Sequence, residues 1–178
     1  MCLMTLPNGL SFSRFVLAPI AAWALIEDRT AVTVIAFVLA IASDILDGRV
    51  ARARQQTTRV GTLIDHGADA TFVTVMLASA AQLGLVPGAL PLLIAAAFLQ
   101  YALDSGLRVG APLRSSSLGR ANGIGYFVLA GVAIAVRHFP AFGFLSEALR
   151  VAAWCLVVTT LLSIATRARY VWRVRTQC

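Results

Sequence analysis

Ser43–Phe72 reads SDILDGRVARARQQTTRVGTLIDHGADATF, and its mixture of acids, arginines and apolar residues decides how the chain folds. Between Asp44 and Asp69 lie four carboxylates (Asp44, Asp47, Asp65, Asp69) and four arginines (Arg49, Arg52, Arg54, Arg59), in a chain that is 59% hydrophobic. Asp44 and Asp47 are three apart and Asp65 and Asp69 four apart, so on helices each pair shares one face. One pair closes a long apolar run and the other opens the next. Acids at the rim of a membrane are costly, which makes them a functional site in want of a partner. Crowded together they repel unless something positive sits among them. Their hard oxygens suit Mg²⁺, Mn²⁺ or Ca²⁺ rather than zinc. Magnesium usually takes a few carboxylates and completes its shell with phosphate oxygens, so a phosphate-bearing substrate is expected.

Composition fixes the class of protein around this stretch. At 178 residues the chain is the size of one domain. A mean hydropathy of +0.82 with 13% charged residues describes a membrane protein, because such a surface could not stay in water. The net charge of +7 comes from fifteen arginines and no lysine. A basic soluble protein would suggest nucleic acid. Here the arginines separate apolar runs instead of lining one polar face, so no nucleic-acid partner is expected and membrane topology is the cheaper explanation. Cys2, Cys155 and Cys178 are far apart and suggest neither a disulfide framework nor a metal site. The N-terminus lacks the charged front of a secretory signal, and its first apolar run, holding Arg14 and Pro19, is read as a retained span.

Six apolar segments, near residues 10–26, 30–47, 62–83, 87–107, 119–138 and 148–166, are each roughly long enough to cross a hydrocarbon core of about 30 Å. The shorter ones call for tilt or for arginines that snorkel. In lipid these must be helices, since unpaired backbone is not tolerated there. The expected fold is an all-α bundle of six transmembrane helices, with Pro87 in the first turn of the fourth. With six spans both termini share a face with the second–third and fourth–fifth linkers. Twelve of the fifteen arginines fall on that face; Arg29, Arg137 and Arg150 fall opposite. The arginine-rich face is therefore cytoplasmic, and the aspartates open onto it. Leu6–Arg14 reads by itself as a turn, a helix cap and an anchoring arginine.

The segment also carries a resemblance. Asp44-x2-Asp47-Gly48-x2-Ala51-Arg52-x8-Gly61-x3-Asp65-x3-Asp69 fits the signature of the CDP-alcohol phosphotransferase family at all eight fixed positions. Two helix ends capped by acids beside a basic loop would explain the charges but not this spacing. The resemblance implies one membrane domain over residues 1–178, one or two Mg²⁺ or Mn²⁺ ions, and a homodimer. It implies that Asp44, Asp47 and Asp65 hold metal, with Asp69 as general base and further ligand. Gly48, Arg52 and Thr58 would contact the CDP moiety. Gly48, and in the same way Gly61, would let backbone approach a ligand closely. Pro7-Asn8-Gly9-Leu10-Ser11, followed by Arg14, resembles the start of many family members and adds Asn8 and Ser11 to the nucleotide pocket.

The donor implied is CDP-diacylglycerol, the product CMP, and the acceptor a polar alcohol such as glycerol 3-phosphate. Arg108, Arg114 and Arg120 are candidates for an acceptor phosphate, a role that topology alone would also account for. Gly119-Arg120 resembles the Gly-Lys that opens the fifth span of phosphatidylglycerophosphate synthases. Asp65-His66-Gly67-Ala68-Asp69 looks more like the choline and ethanolamine phosphotransferases, which take diacylglycerol as acceptor; that assignment is the alternative. The parts played by His66 and Asp104 stay open. A transporter, from a different class, would place its acids near mid-span, whereas these lie at span ends. A non-catalytic scaffold would have no need of all four aspartates.

Overall fold

The computed structural model describes the backbone of residues 6–53, 59–107 and 117–176, and side chains over 11–46, 61–104 and 117–169. The described residues form six α-helices: α1 (Leu6–Ile26), α2 (Thr30–Ala53), α3 (Arg59–Gln82), α4 (Ala89–Leu107), α5 (Ser117–His138) and α6 (Ser146–Thr176). A short 3-10 helix, Pro140–Leu145, joins α5 to α6. Each helix covers one of the six apolar segments, though α3 stops at Gln82 and α4 starts only at Ala89. Some helices run past their segments: α6 continues to Thr176 although its apolar run stops near residue 166. Arginines crowd that end, where the helix dipole favours positive charge.

Two corrections concern local structure. Leu6–Arg14 is not a turn leading into the first helix; it already belongs to α1. Pro87 lies two residues ahead of α4 and accepts the Leu90 amide at 3.1 Å through its carbonyl, while Pro91 occupies the first turn of the helix. A proline there costs nothing, because the first-turn amides have no intrahelical acceptor.

The packing has two parts joined by α3. α1 lies against α2 and α3 along their length, and α3, α4, α6 and α5 close a ring in which α3 touches both α4 and α5. The buried interior takes large residues chiefly from α3 (Phe72, Met76, Leu77), with Phe72 between Phe37 and Phe127 at ring separations of 6.1 Å on both sides. Elsewhere the contacts use small residues such as Ala18, Ala21, Ala40 and Ala130, which let helix backbones approach closely. The outside is the reverse of a soluble protein's: Trp23, Ile35, Leu92, Val128, Trp154 and Leu162 are all exposed. Such an apolar exterior fits lipid. Ser117–His138 and Pro140–Arg169 are long and apolar enough to cross a membrane, and Ser11–Ile26, Thr30–Leu46 and Ala89–Asp104 are shorter apolar helices. The molecule is thus all-helical and consistent with a membrane protein.

Candidate active site

Three helices meet at the aspartates. α1 brings Ser11 and Arg14 one turn apart, α2 brings Asp44 nine residues before its last residue, and α3 brings Asp65 and Asp69 six and ten residues after its first. Because α1 packs against both α2 and α3, its Arg14 lies between the two acidic helices. The guanidinium is fully buried, and the Asp44, Asp65 and Asp69 side chains are 44, 33 and 29% exposed. Arg14 Nη1 donates to Asp44 Oδ1 at 3.1 Å and also to Asp69 Oδ1, and Nη2 donates to Asp65 Oδ1 at 2.6 Å. The Ser11 hydroxyl donates to Asp65 Oδ1 at 3.3 Å and accepts from Arg14 Nη2 at 3.4 Å.

One carboxylate oxygen from each of Asp44, Asp65 and Asp69 falls within 4.8 Å of the others. Two like charges about 4 Å apart repel by about 4 kcal/mol at an effective dielectric constant of 20. One guanidinium among three carboxylates leaves a formal charge of −2 (−3 + 1), which is the charge of one divalent cation with the sign reversed. Convergent hard oxygens with that residual charge fit Mg²⁺ or Mn²⁺.

A cavity of about 440 Å³ opens beside the carboxylates, inside the ring of α3, α4, α6 and α5. Asp44 and Asp69 border it, with Arg120 and Arg167 at the same end. Its far end is apolar, bounded by Val73, Ile94 and Phe127. Between the two ends Tyr126 and Thr160 share a 2.6 Å hydrogen bond. Along the α4–α6 wall, Arg167 Nε donates to Asp104 Oδ2 at 2.7 Å and the guanidinium lies 4.9 Å from the centre of the Tyr101 ring. His66 stacks on the other partner of this group, its ring 5.5 Å from that of Tyr101.

A sequence profile for CDP-alcohol phosphatidyltransferases matches residues 4–165, which takes in α1 to α5 and the first twenty residues of α6. The chain belongs to the CDP-alcohol phosphatidyltransferase family. Members of that family are transferases, so the chain is placed in an enzyme class. Among curated relatives, human cardiolipin synthase (CMP-forming) is 33% identical over 84 residues, 47% of this chain and 28% of the human protein. The CDP-diacylglycerol–glycerol-3-phosphate 3-phosphatidyltransferase of Aquifex aeolicus is 34% identical over 76 residues, 43% of each chain. A cardiolipin synthase/mitochondrial hydrolase fusion protein of Schizosaccharomyces pombe is 38% identical over 74 residues, 42% of this chain and 12% of that protein. In each case the match spans less than half of the relative's length. No solved structure matches the chain.

Asp44, Asp65 and Asp69 converge, and Ser11 joins them through Asp65. Gly61 sits one turn before Asp65 on α3, and Arg120 lies in the first turn of α5, exposed, at the cavity. Thr58, Arg108 and Arg114 lie outside the described residues, as do the side chains of Asn8, Asp47 and Arg52 and the surroundings of Gly48. Asp104 and Arg167, which the sequence left as an open question and a topology charge, pair with one another. Arg14, read from the sequence as an anchoring arginine on the face of the aspartates, is the residue whose partners sequence reasoning missed. Its signal was a permanent charge inside an apolar run, three residues after a serine. That spacing predicts a shared helix face but does not say what the face meets.

Proposed function

We propose that the protein transfers a phosphatidyl group from CDP-diacylglycerol to the hydroxyl of a polar alcohol, glycerol 3-phosphate or a similar phosphate-bearing acceptor, and releases CMP. The observation that carries this is the convergence of Asp44, Asp65 and Asp69 to a cluster of net charge −2 beside a cavity large enough for a substrate. The relatives' names support the donor and the product: one is a CDP-diacylglycerol-dependent phosphatidyltransferase, and the cardiolipin synthases are designated CMP-forming. Asp44 and Asp65 lie three residues inside the ends of the apolar runs 30–47 and 62–83, which favours this chemistry over a transport route.

The reaction forms a bond between the acceptor oxygen and the phosphorus that carries diacylglycerol. It breaks the bond from that phosphorus to the bridging oxygen, which leaves with CMP. Asp44, Asp47 and Asp65, with Asp69 as a further ligand, would hold one or two Mg²⁺ or Mn²⁺ ions, and such ions supply charge neutralisation for the diphosphate. Asp69 takes the acceptor proton. A carboxylate is a weak base at neutral pH, so its contribution is to stand where the hydroxyl arrives. Ser11 steadies Asp65, and Arg52, Gly48, Thr58, Gly61 and Asn8 are proposed to hold the CDP moiety. The chain is taken to span the membrane six times, with both termini and the site cytoplasmic, and to pair as a homodimer on the pattern of its family.

The test is CMP release from CDP-diacylglycerol by the purified protein. Release is expected to require both an alcohol and Mg²⁺ or Mn²⁺, and to stop with EDTA. Asp69→Asn is expected to lower kcat by about 10²–10⁴-fold, the usual contribution of a general base. Near-normal turnover in that variant removes Asp69 from the mechanism, and CMP release without an alcohol removes the transferase reading.

A further inference from the structure

Asp104 and Arg167 form an ion pair that the mechanism above does not use. It joins α4 to α6 at the charged end of the cavity, with side chains 14 and 23% exposed. An exposed pair adds little stability, and a pair taken out of water recovers its desolvation only with close, well-placed partners. Nor is it the only polar tie between the two helices. One turn earlier on α4 the Gln100 amide donates to the Ile164 carbonyl of α6 at 3.2 Å.

What the pair does is fix a guanidinium. Arg167 Nε donates to Asp104 Oδ2 at 2.7 Å, and the guanidinium carbon lies 4.9 Å from the centre of the Tyr101 ring, within cation–π range. Tyr101 is buried and held in its turn, its ring 5.5 Å from that of His66 and 6.4 Å from that of Phe98. One edge and one face of the guanidinium are thus occupied. The N–H groups on Nη1 and Nη2 bond to nothing among the described residues, and Arg167 borders the cavity. Arg120, at the same end, is exposed and has no ion pair among the described residues, so only one of the two cations is held in place. A fork of two open amino groups matches two oxygens of a phosphate, which the point charge of a lysine does not. Fixing it in advance spares the ordering of a flexible side chain on binding. The contacts also lead back to the acids, because His66 is three residues before Asp69 on α3 and shares its face.

We infer that Asp104 is a positioning residue for the transfer: it holds Arg167 by the Nε edge, against Tyr101, so that the two terminal amino groups take the phosphate of the acceptor alcohol. The acceptor hydroxyl is thereby set at Asp69, which borders the same cavity. This rests on the transferase reading above and deepens it. Asp104 touches no substrate and takes no proton; it acts through Arg167. The charge of residue 167 is then not sufficient by itself. A lysine there would set its ammonium on Asp104 and keep no fork for the phosphate.

CMP release by the wild-type protein in detergent, at saturating CDP-diacylglycerol and Mg²⁺ or Mn²⁺, is first measured with glycerol 3-phosphate, phosphatidylglycerol and glycerol. The first two separate a phosphate monoester from a lipid phosphodiester, and glycerol, which has no phosphate, is expected to be the poorest. The better phosphate-bearing acceptor is then titrated against the variants. Asp104→Asn is expected to raise its KM about tenfold, the low end for a hydrogen bond to a charged group, with kcat within about twofold and the KM for CDP-diacylglycerol unchanged. Asp104→Glu should recover most of that loss. Arg167→Lys should raise the acceptor KM as much as Asp104→Asn does, and Asp104→Asn should add no further rise in an Arg167→Gln background. An Arg167→Lys protein with the wild-type KM shows that charge suffices and overturns the positioning role. So does a full additional effect of Asp104→Asn on Arg167→Gln. A joint loss of kcat, donor affinity and melting temperature in Asp104→Asn marks a helix tie alone and overturns it too. Glycerol used as well as the phosphate-bearing acceptors overturns the inference and leaves the transferase reading standing. No CMP release with any alcohol removes both. Should Asp104→Asn not fold, Arg167→Lys and Asp104→Glu decide.

Discussion

A guanidinium with no exposure to water, set among three carboxylates, is the least expected residue of this site. A charge moved from water into a protein interior costs several kcal/mol unless its partners are close and well placed. Arg14 has them, with contacts to Asp44 at 3.1 Å and Asp65 at 2.6 Å and a third to Asp69. Without it the acids would be held together against their own repulsion, only partly relieved by their exposure to solvent. Arg14→Gln is therefore expected to destabilise the metal-free protein by about 2–4 kcal/mol, the range for breaking a buried ion pair less an allowance for the half-open aspartates. Arg14→Lys, which keeps the charge and loses the fork that reaches several partners, should fall between. Thermal unfolding in detergent with EDTA measures this. Adding Mn²⁺ should then raise the melting temperature of Arg14→Gln more than that of wild type, because the ion replaces the missing positive charge. Equal shifts in both proteins would mean that Arg14 and the ion do not answer the same charges. The acids were legible in the sequence because their spacing is a helix repeat beside an apolar run. Their counter-charge was not, since Arg14 is 30 residues from Asp44 and 55 from Asp69 and only the packing of α1 between α2 and α3 brings them together.

The helices themselves were legible for a simple reason: an apolar run of about twenty residues has few other ways to satisfy its backbone in lipid. Where they stop depends on local chemistry that hydropathy does not register. α3 ends with Gly84 at φ +72°, the Leu85 amide bonding to the Ala80 carbonyl at 2.9 Å and the Gly84 amide to that of Ala81 at 3.0 Å. That is the left-handed helix stop that glycine suits. α1 ends with the same 6→1 bond, Arg29 to Ala24 at 2.8 Å, but the left-handed residue is Asp28 at φ 57°. Its side chain is held across the bundle end, 3.0 Å from His138 Nδ1, which also lies 3.2 Å from the Thr30 hydroxyl. The two stops make opposite predictions. Gly84→Ala is expected to cost about 1 kcal/mol, entirely through its backbone, since the added Cβ meets no atom within 4 Å. Asp28→Gly relieves the same strain and gives up the contact to His138, so it should change stability by less than Gly84→Ala does. Chemical or thermal unfolding of both variants in one detergent checks the pair. A neutral Gly84→Ala would show that the α3–α4 turn relaxes at no cost. Pro87, Pro91 and Gly84 all lie within eight residues, and the sequence flagged the wrong proline because either one fits a helix entry.

For the molecule as a whole, the six helices alternate, so that the aspartates, Arg120, Arg167 and Asp104 all gather at one end and Asp28, His138 and the 3-10 helix at the other. The arginine count along the chain, twelve against three, is the ground for the proposal that the first end is cytoplasmic. The three cysteines can test both the number of spans and their direction. With an even number of spans Cys2 and Cys178 share a side, and Cys155 lies within the apolar run of α6 on its exposed face, which in a bilayer is towards lipid. A membrane-impermeant maleimide is expected to modify two cysteines per chain in sealed inverted vesicles and none in sealed right-side-out vesicles. Cys2→Ser combined with Cys178→Ser should abolish labelling in both, because a thiol within hydrocarbon forms little thiolate and does not meet a reagent held in water. One label from each side would mean an odd number of spans and would overturn the six-span arrangement that puts the aspartates on the face where CDP-linked substrates are made. Two labels from the outside would invert the orientation, and the arginines would then need an explanation in substrate binding alone.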